Sequence, residues 1–144
     1  MTVSKTSVDR VVEVDPLSNF SINEKSVVPI WIQIRKRLVY LISVGKFERG
    51  DRLPSVRELS VQLGVNYNTV NKVYQDLERD NYIYTQRGRG TYVSDLKGVH
   101  LLAVDEDVEA LAIDLVQEAL AKGMTSEGIL DLVSEQIILL GGTN

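Results

Sequence analysis

The stretch of residues 55–77 constrains the fold most, because it predicts two helices that are separated by only a few residues. Ser55 is followed three residues later by Glu58, a capping-box pattern in which each side chain satisfies the other residue's backbone N–H. The first helix therefore starts directly after Ser55, and Gly64 is suited to end it in the left-handed conformation. Asn66 is a suitable N-cap for the second helix. A short helix, a turn that contains glycine and a second helix form a helix-turn-helix.

Apolar residues recur at helical spacing through this stretch and through an earlier segment that starts at Pro29. Proline is favoured in a first helical turn, and Gly45 is suited to end this earlier helix. Each of the three predicted helices therefore has one face to bury. In chain order, the residues predicted to be buried are Ile30, Ile34, Leu38, Leu41, Ile42, Val56, Leu59, Leu63, Val70, Val73, Tyr74 and Leu77.

Two short stretches after the third helix have the composition of β-strands. Residues 82–85 alternate aromatic and β-branched side chains, and residues 91–93 are predicted to pair with them. Between the two lies the sequence QRGRG, residues 86–90, a glycine-containing hairpin tip with two arginines. Three helices followed by a hairpin predict an α+β fold, a winged helix-turn-helix in which the hairpin is the wing.

The rest of the chain is predicted to form a tail and a pair of helices. Residues 1–19 are expected to be a mobile N-terminal tail, and residues 20–95 the winged helix-turn-helix domain. Residues 94–103 are predicted to be a linker, and residues 96–144 a short helical dimerisation region.

Both C-terminal helices have broad apolar faces, and a two-helix hairpin has only one internal interface. We therefore expect a second copy of the chain to cover these faces in an isologous contact. The alternative is that the hairpin packs against its own winged domain. The residues assigned to dimerisation are Val108, Leu111, Leu115, Leu120, Ile129, Val133, Ile137 and Leu140.

The net charge of -4 is distributed unevenly along the chain. Residues 29–95 carry a net charge of +4, and residues 96–144 carry a net charge of -7. Such asymmetry favours a middle segment that faces nucleic acid and an acidic end that faces solvent. Chance variation in surface charge is the alternative.

The polar side chains at the start of the third helix are candidates for DNA recognition. A helix fits the major groove of DNA, where asparagine can bond an adenine edge, and lysine can release counterions from the phosphates. The alternative is that these residues only cap the helix. The candidates are Asn66, Tyr67, Asn68, Thr69, Asn71 and Lys72.

Arginines outside the third helix extend this region. Arg57 lies in the first turn of the second helix, where it could reach a phosphate or a guanine, or only pair with a carboxylate. Arg87 and Arg89 flank Gly88 at the wing tip, and a thin loop of this kind suits the narrow minor groove. An ordinary solvated turn is the alternative for this loop.

The run from Phe20 to Val93 resembles the winged helix-turn-helix of the GntR family of regulators. The resemblance rests on segments that follow in the family's order and spacing, which are FSINEKSVVPIWIQI, GDRLPSVRELS, LGVNYNTVNKVYQDLE and RGRGTYV. The short C-terminal part, with GMTSEGILDLVSE, resembles the YtrA-like subfamily, whose members carry two helices instead of a large effector domain.

The resemblance implies which residues contact DNA, and it also implies a homodimer. Tyr67 and Asn71 stand where other branches of the family often have arginine, so the base preference of those branches cannot be transferred. The contacts that the resemblance implies are Ser55, Arg57, Asn66, Tyr67, Asn68, Thr69, Lys72, Arg87, Gly88 and Thr91.

Composition argues against catalysis and metal binding. The chain has no cysteine, and His100 is its single histidine, so we expect no metal site and no cofactor. A phosphate-binding glycine loop and a set of residues for nucleophilic catalysis are both missing, so we expect no enzyme activity. No apolar run reaches the roughly 18 residues that cross a membrane, and no signal peptide is recognisable, so a cytoplasmic location is expected.

These features predict a sequence-specific DNA-binding transcription regulator, a repressor that binds an inverted-repeat operator as a homodimer. The half-sites for such a dimer would lie about 34 Å, one helical turn, apart. Two alternatives stay open. One is a switch that responds to a small-molecule effector in the C-terminal helices, and the other is a winged-helix module that binds protein instead of DNA.

Overall fold

The computed structural model describes residues 15–99, 101 and 104–141. In chain order the helices and strands of these residues are α1 Ile30–Ser43, β1 Arg52–Leu53, α2 Val56–Leu63, α3 Tyr67–Arg79, β2 Ile83–Gln86, β3 Gly90–Val93, α4 Glu106–Ala121 and α5 Ser126–Leu139. The chain divides into two compact units, Met1–Ala103 and Val104–Asn144. Helices with a small antiparallel sheet confirm the predicted α+β class.

Helix α1 begins after Pro29, which stands at its N-cap position and supplies a φ suited to the first turn. The apolar stripe of α1 is buried as predicted, except at its first residue. Ile30 is exposed, so the prediction is wrong there, because this side chain lies at the end of the stripe. The buried residues of α1 are Ile34, Leu38, Leu41 and Ile42.

The helix-turn-helix is present, with the local chemistry that the sequence predicts. The Ser55 Oγ accepts a 3.0 Å hydrogen bond from the Glu58 backbone N–H, and the Glu58 carboxylate accepts one of 2.8 Å from the Ser55 N–H. Gly64 ends α2 with a φ of +69°, a conformation that glycine adopts without steric cost. The Asn66 side chain then caps α3 by accepting a 2.7 Å hydrogen bond from the Asn68 N–H.

The first three helices bury their apolar faces in one core. All the residues predicted for α3 are buried, and in α2 Leu59 is buried while Val56 and Leu63 are half-buried. Tyr74 of α3 donates a 2.6 Å hydrogen bond from its hydroxyl to the Pro54 carbonyl in the loop before α2. Burial raises the pKa of the Tyr74 hydroxyl, so it remains a donor at neutral pH. This bond ties the start of α2 to α3.

The wing belongs to a sheet of three antiparallel strands in the order β1-β3-β2. The hairpin of β2 and β3 was predicted, with limits that differ by one residue. Strand β1 was not predicted, because a strand of two residues has no recognisable period. It places Arg52 opposite Tyr92 and Leu53 opposite Thr91.

In the described segment ahead of α1, residues 15–29, Leu17 is packed into the first unit. This side chain is 1% exposed and belongs to the hydrophobic core. Its backbone carbonyl accepts a 3.3 Å hydrogen bond from the Gln62 side chain of α2. Core packing of Leu17 differs from the mobile tail that we expect for residues 1–19. The same prediction for residues 1–14 lies outside the described residues.

The first unit also continues past the wing. Leu96 and Leu101 are half-buried and pack against its core. The first compact unit extends to Ala103, whereas the sequence predicts a boundary after residue 95. Part of the predicted linker is thus packed on the winged domain.

The second unit contains the two predicted C-terminal helices, α4 and α5, whose first turns are capped by the side chains of Asp105 and Thr125. Among its described residues, Ala119 and Ile129 alone are buried. Ile129 is 7% exposed, which leaves little of its side chain for contact with a second copy of the chain. The other residues assigned to dimerisation are half-buried or exposed, and they are Val108, Leu111, Leu115, Leu120, Val133, Ile137 and Leu140.

Candidate nucleic-acid interface

The face of α3 opposite its buried residues is polar and accessible. Asn68 and Lys72, which are four residues apart and share one face of the helix, are both exposed. Tyr67 at the first position is exposed, and Thr69 and Asn71 are half-buried. The side chains predicted for the third helix thus lie at the surface, as a recognition helix requires.

The side chain of Asn66, at the start of α3, has two polar groups that can act independently. Its carbonyl oxygen is engaged in capping, as the alternative interpretation expects. Asn66 is exposed, and its side-chain NH₂ group appears in no hydrogen bond within the described part of the chain. An asparagine in this state can cap the helix and still donate to a nucleic acid.

The start of α2 presents Ser55 and Arg57. The Ser55 Oγ accepts the capping bond, which leaves the hydroxyl proton to donate elsewhere. Arg57 is exposed and, among the described residues, makes no ion pair. The alternative interpretation, in which Arg57 only pairs with a carboxylate, therefore has no support among the described residues.

The tip of the wing is a tight turn that carries two arginines. The Arg89 N–H donates a 2.9 Å hydrogen bond to the Gln86 carbonyl, which closes the turn. Gly88 has a φ of +77°, where a side chain would be strained. Arg87 and Arg89 are exposed, and neither forms an ion pair with another described residue.

Arg52 adds a third arginine near the wing, and the sequence analysis missed it. It is exposed on β1, and its Nε lies against Gly90 at the start of β3. A Cβ at Gly90 would come within 2.9 Å of this nitrogen, and the φ of +137° also requires glycine. No local pattern could have revealed Arg52, because its position depends on the pairing of β1 with β3.

Thr91 differs from the other residues that the resemblance implied. It lies on the central strand β3, where it pairs with Leu53 on one side and Thr85 on the other. Its side chain is 8% exposed, which leaves little of it for a phosphate contact. We therefore leave Thr91 out of the candidate interface.

The wing is tied to the recognition helix by Glu78, near the end of α3. The Glu78 carboxylate accepts hydrogen bonds from the Thr85 N–H at 3.3 Å and from the Thr85 hydroxyl at 3.2 Å. Thr85 lies on the edge strand β2, so Glu78 satisfies an N–H that the sheet leaves unpaired. The outer face of the sheet is further stabilised by the stacked rings of Tyr84 and Tyr92, with centres 5.7 Å apart.

The described residues contain no group of three or more acidic or histidine side chains that could hold a metal ion. None of the helices in the described part of the chain is long and apolar enough to cross a membrane. The surface described above presents hydrogen-bond donors and cations on a helix and a loop. A helix-turn-helix with such a surface and an arginine-bearing wing defines a winged-helix DNA-binding regulator.

Comparison with known proteins identifies the family. Residues 32–93 match the family described as bacterial regulatory proteins, gntR family. The chain is 41% identical over 98 residues to the HTH-type transcriptional repressor YtrA of Bacillus subtilis strain 168, covering 65% of this chain and 75% of that protein. It is 31% identical over 103 residues to the uncharacterised HTH-type transcriptional regulator YhcF of the same organism, covering 72% and 85%.

A solved structure with the same fold is a transcriptional antiterminator from Listeria monocytogenes EGD-e. It is 32% identical, with a TM-score of 0.53, and the match covers 81% of this chain and 88% of that one. The chain therefore belongs to the GntR family of bacterial regulatory proteins. It is a DNA-binding transcription regulator, and the prediction that it is no enzyme is confirmed, because the family and its relatives are regulators.

Proposed function

We propose that the protein represses transcription by binding an inverted-repeat operator as a homodimer. The observation that carries the proposal is the surface formed by the polar face of α3 and by the arginines of α2 and the wing. Its cations Arg57, Arg87 and Arg89 have no ion-pair partner among the described residues, so their charges are available to phosphates.

In this proposal α3 lies in the major groove. Asn68 and Asn71 can each form two hydrogen bonds with an adenine edge, at about 1–3 kcal/mol of discrimination for a good pair. Tyr67 and Thr69 carry hydroxyls that can donate to phosphates and so fix the register of the helix. The two asparagines would therefore read sequence, and the hydroxyls would position the helix.

The wing and α2 would contact the duplex backbone and the minor groove. Arg87 and Arg89 stand on a thin turn that fits a narrow minor groove, where the negative potential is strongest. Gly88 allows the backbone of this turn to approach closely. Arg57 and Arg52 would bind phosphates beside the grooves.

The homodimer is supported by the apolar surface of the second unit. Leu111 is 67% exposed and Leu140 is 84% exposed, and further large apolar side chains of α4 and α5 are exposed beside them. Soluble proteins rarely leave contiguous apolar surface of this kind uncovered. A second copy would bury it symmetrically, and two winged domains would then read the two halves of an inverted repeat.

Repression itself is inferred from a relative. The similar protein YtrA of B. subtilis is named a transcriptional repressor. A dimer that occupies its operator would act most simply by excluding RNA polymerase from an overlapping promoter. This action places the protein in the bacterial cytoplasm, where the chromosome lies.

An apolar groove in the second unit favours effector binding as a second candidate function. The groove has a volume of about 460 Å³, and a single polar side chain, Gln136, could orient a ligand there. A small apolar molecule in the groove would compete with the second copy of the chain. The groove is lined by Leu115, Leu132, Val133, Gln136, Ile137 and Leu140.

The proposal is tested by selecting duplexes from a random pool with the full chain, followed by binding measurements at physiological salt. We expect the selected sequences to contain an inverted repeat. Arg57→Ala should weaken binding about tenfold or more, because a dimer loses one charge-assisted contact in each half-site.

Lys36→Ala is the matched control, because Lys36 is an exposed cation on the outer side of α1 and should contribute little. Unchanged affinity of Arg57→Ala would remove Arg57 from the interface. Failure to recover any preferred duplex would reject the operator-binding proposal itself.

A further inference from the structure

The ammonium group of Lys72 lies over the face of an aromatic ring. Lys72 Nζ is 4.7 Å from the centre of the Trp31 ring, well inside the distance of about 6 Å for a cation–π contact. Trp31 is half-buried and packs against the core, whereas Lys72 is exposed on α3. The contact therefore joins a fixed ring on α1 to a flexible side chain on the recognition helix.

An aromatic ring holds a cation without cancelling its charge. Arg35 differs from Lys72 because, besides lying over the Tyr82 ring at 5.8 Å, it forms an ion pair with the Asp80 carboxylate, which offsets its positive charge. Lys72 makes no ion pair with any described residue, and the Trp31 ring is neutral. Lys72 is thus held in place while it keeps the full positive charge that a DNA phosphate attracts.

Holding a lysine before it binds has a direct effect on affinity. A side chain that is free in solution loses rotamer freedom when it reaches a phosphate, which lowers affinity by roughly two- to tenfold for each side chain immobilised. On the basis of the proposed DNA binding, we propose that Trp31 is a positioning residue that keeps Lys72 ordered for a phosphate contact. Trp31 thus strengthens operator binding through Lys72.

The test is a double-mutant cycle on binding of the full chain to the selected duplex, with Trp31→Leu, Lys72→Met and the two combined. Trp31→Leu should weaken binding about two- to tenfold per protomer when Lys72 is present. It should have no effect when Lys72→Met is already present, because the side chain that it positions is gone. Equal weakening in both backgrounds would overturn the inference, since Trp31 would then act through the fold alone.

The salt dependence of binding separates positioning from contact. Lys72→Met should reduce the slope of log affinity against log salt by about 0.9 per protomer, because one phosphate contact is lost. Trp31→Leu should leave the slope unchanged, because Lys72 still reaches the phosphate. Trp31→Phe keeps a ring and should restore most of the affinity. A Phe variant as weak as the Leu variant would contradict the inference.

The contact can also be measured without DNA. The ring current of Trp31 should shift the NMR signals of the Lys72 side-chain CH₂ protons upfield, and Trp31→Leu should remove the shift. Thermal unfolding of each variant shows that it is folded. A wild type without the shift would reject the contact itself. A wild type that binds no duplex would instead reject the proposed function, so the two failures are distinguishable.

Discussion

At the scale of single residues, the capping hydrogen bonds of Glu58 also change the pKa of its carboxyl group. Its pKa is lowered from the ordinary value of 4.5, first by the hydrogen bond from the Ser55 backbone N–H and then by the Ser55 hydroxyl. Desolvation opposes this lowering of the pKa, and the positive charge of Arg52 makes a smaller contribution in the lowering direction. The folded state therefore stabilises the ionised carboxylate of Glu58 relative to its protonated form.

This preference predicts the pH dependence of stability. A carboxyl whose pKa is lower in the folded state stabilises the fold above its unfolded pKa, and this contribution is lost as the pH falls through the folded value. Below the ordinary value of 4.5 the wild type should therefore lose stability faster than Glu58→Gln, whose amide has no proton to gain. Thermal unfolding midpoints measured at neutral pH and at about pH 3.5 give the comparison.

Glu24→Gln is the control for removing one exposed negative charge. It should follow the wild type more closely than Glu58→Gln does. Parallel curves for the wild type and Glu58→Gln would show that the capping carboxylate does not contribute to acid sensitivity.

At the scale of elements, the alignment of the wing with α3 depends on Glu78. The β-hairpin is short, and its edge strand β2 contacts the recognition helix through the two hydrogen bonds between Glu78 and Thr85. We expect these bonds to restrict movement of the wing tip, which carries Arg87 and Arg89, relative to α3. A wing that swings freely would have to be ordered again when it binds DNA.

We therefore expect Glu78→Ala to weaken binding to the selected duplex about threefold to tenfold. Stability should fall by only about 0.5–1.5 kcal/mol, the net contribution of an ordinary hydrogen bond. Thr85→Val, which removes only the hydroxyl and keeps the backbone N–H, should have a smaller effect on both quantities.

Charge alone predicts the opposite result, which makes the measurement decisive. Removing a carboxylate from a DNA-binding unit should by itself tighten binding, and Glu24→Ala supplies this comparison. If Glu78→Ala binds as tightly as Glu24→Ala, the tie to Thr85 has no role in aligning the wing.

At the scale of the whole molecule, the two units differ in how much apolar surface they bury. Among the described residues of the first unit, fourteen buried side chains form a hydrophobic core that extends over α1, α2, α3 and the sheet. The described residues of the second unit include two buried side chains, Ala119 and Ile129. So small a core is the reason why we propose that a second copy of the chain covers the remaining apolar faces of α4 and α5.

The dimer is tested by placing charge in its predicted interface. Leu115→Glu combined with Ile137→Glu should produce monomers, because two carboxylates in each copy would be buried without partners. Both side chains are partly exposed, so the charges can remain solvated in the monomer. Sedimentation velocity of the full chain measures the change, and circular dichroism checks that the helices persist.

Gln75→Glu is the control for adding a carboxylate outside the second unit, because Gln75 is an exposed polar residue of α3. It should sediment as the wild type does. A double variant that still sediments as a dimer would place the interface elsewhere in the chain.

Local sequence was sufficient where a structure depends on neighbours in the chain. The capping box of Ser55 and Glu58, the left-handed Gly64 and the N-cap Asn66 are all present as predicted. Each depends on backbone hydrogen bonds within a few residues, and the spacing of residues along the chain determines these bonds.

Tertiary structure decided the features that join distant residues. Three features link residues that are tens of positions apart. They are the burial of Leu17, the pairing of Arg52 with Tyr92 and the contact of Lys72 with Trp31. Packing and strand pairing bring such residues together, and the residues adjacent to them in sequence carry no signal of it. The sequence by itself therefore determined the helix-turn-helix and its polar face, while only the folded core determined which side chains stand beside that face.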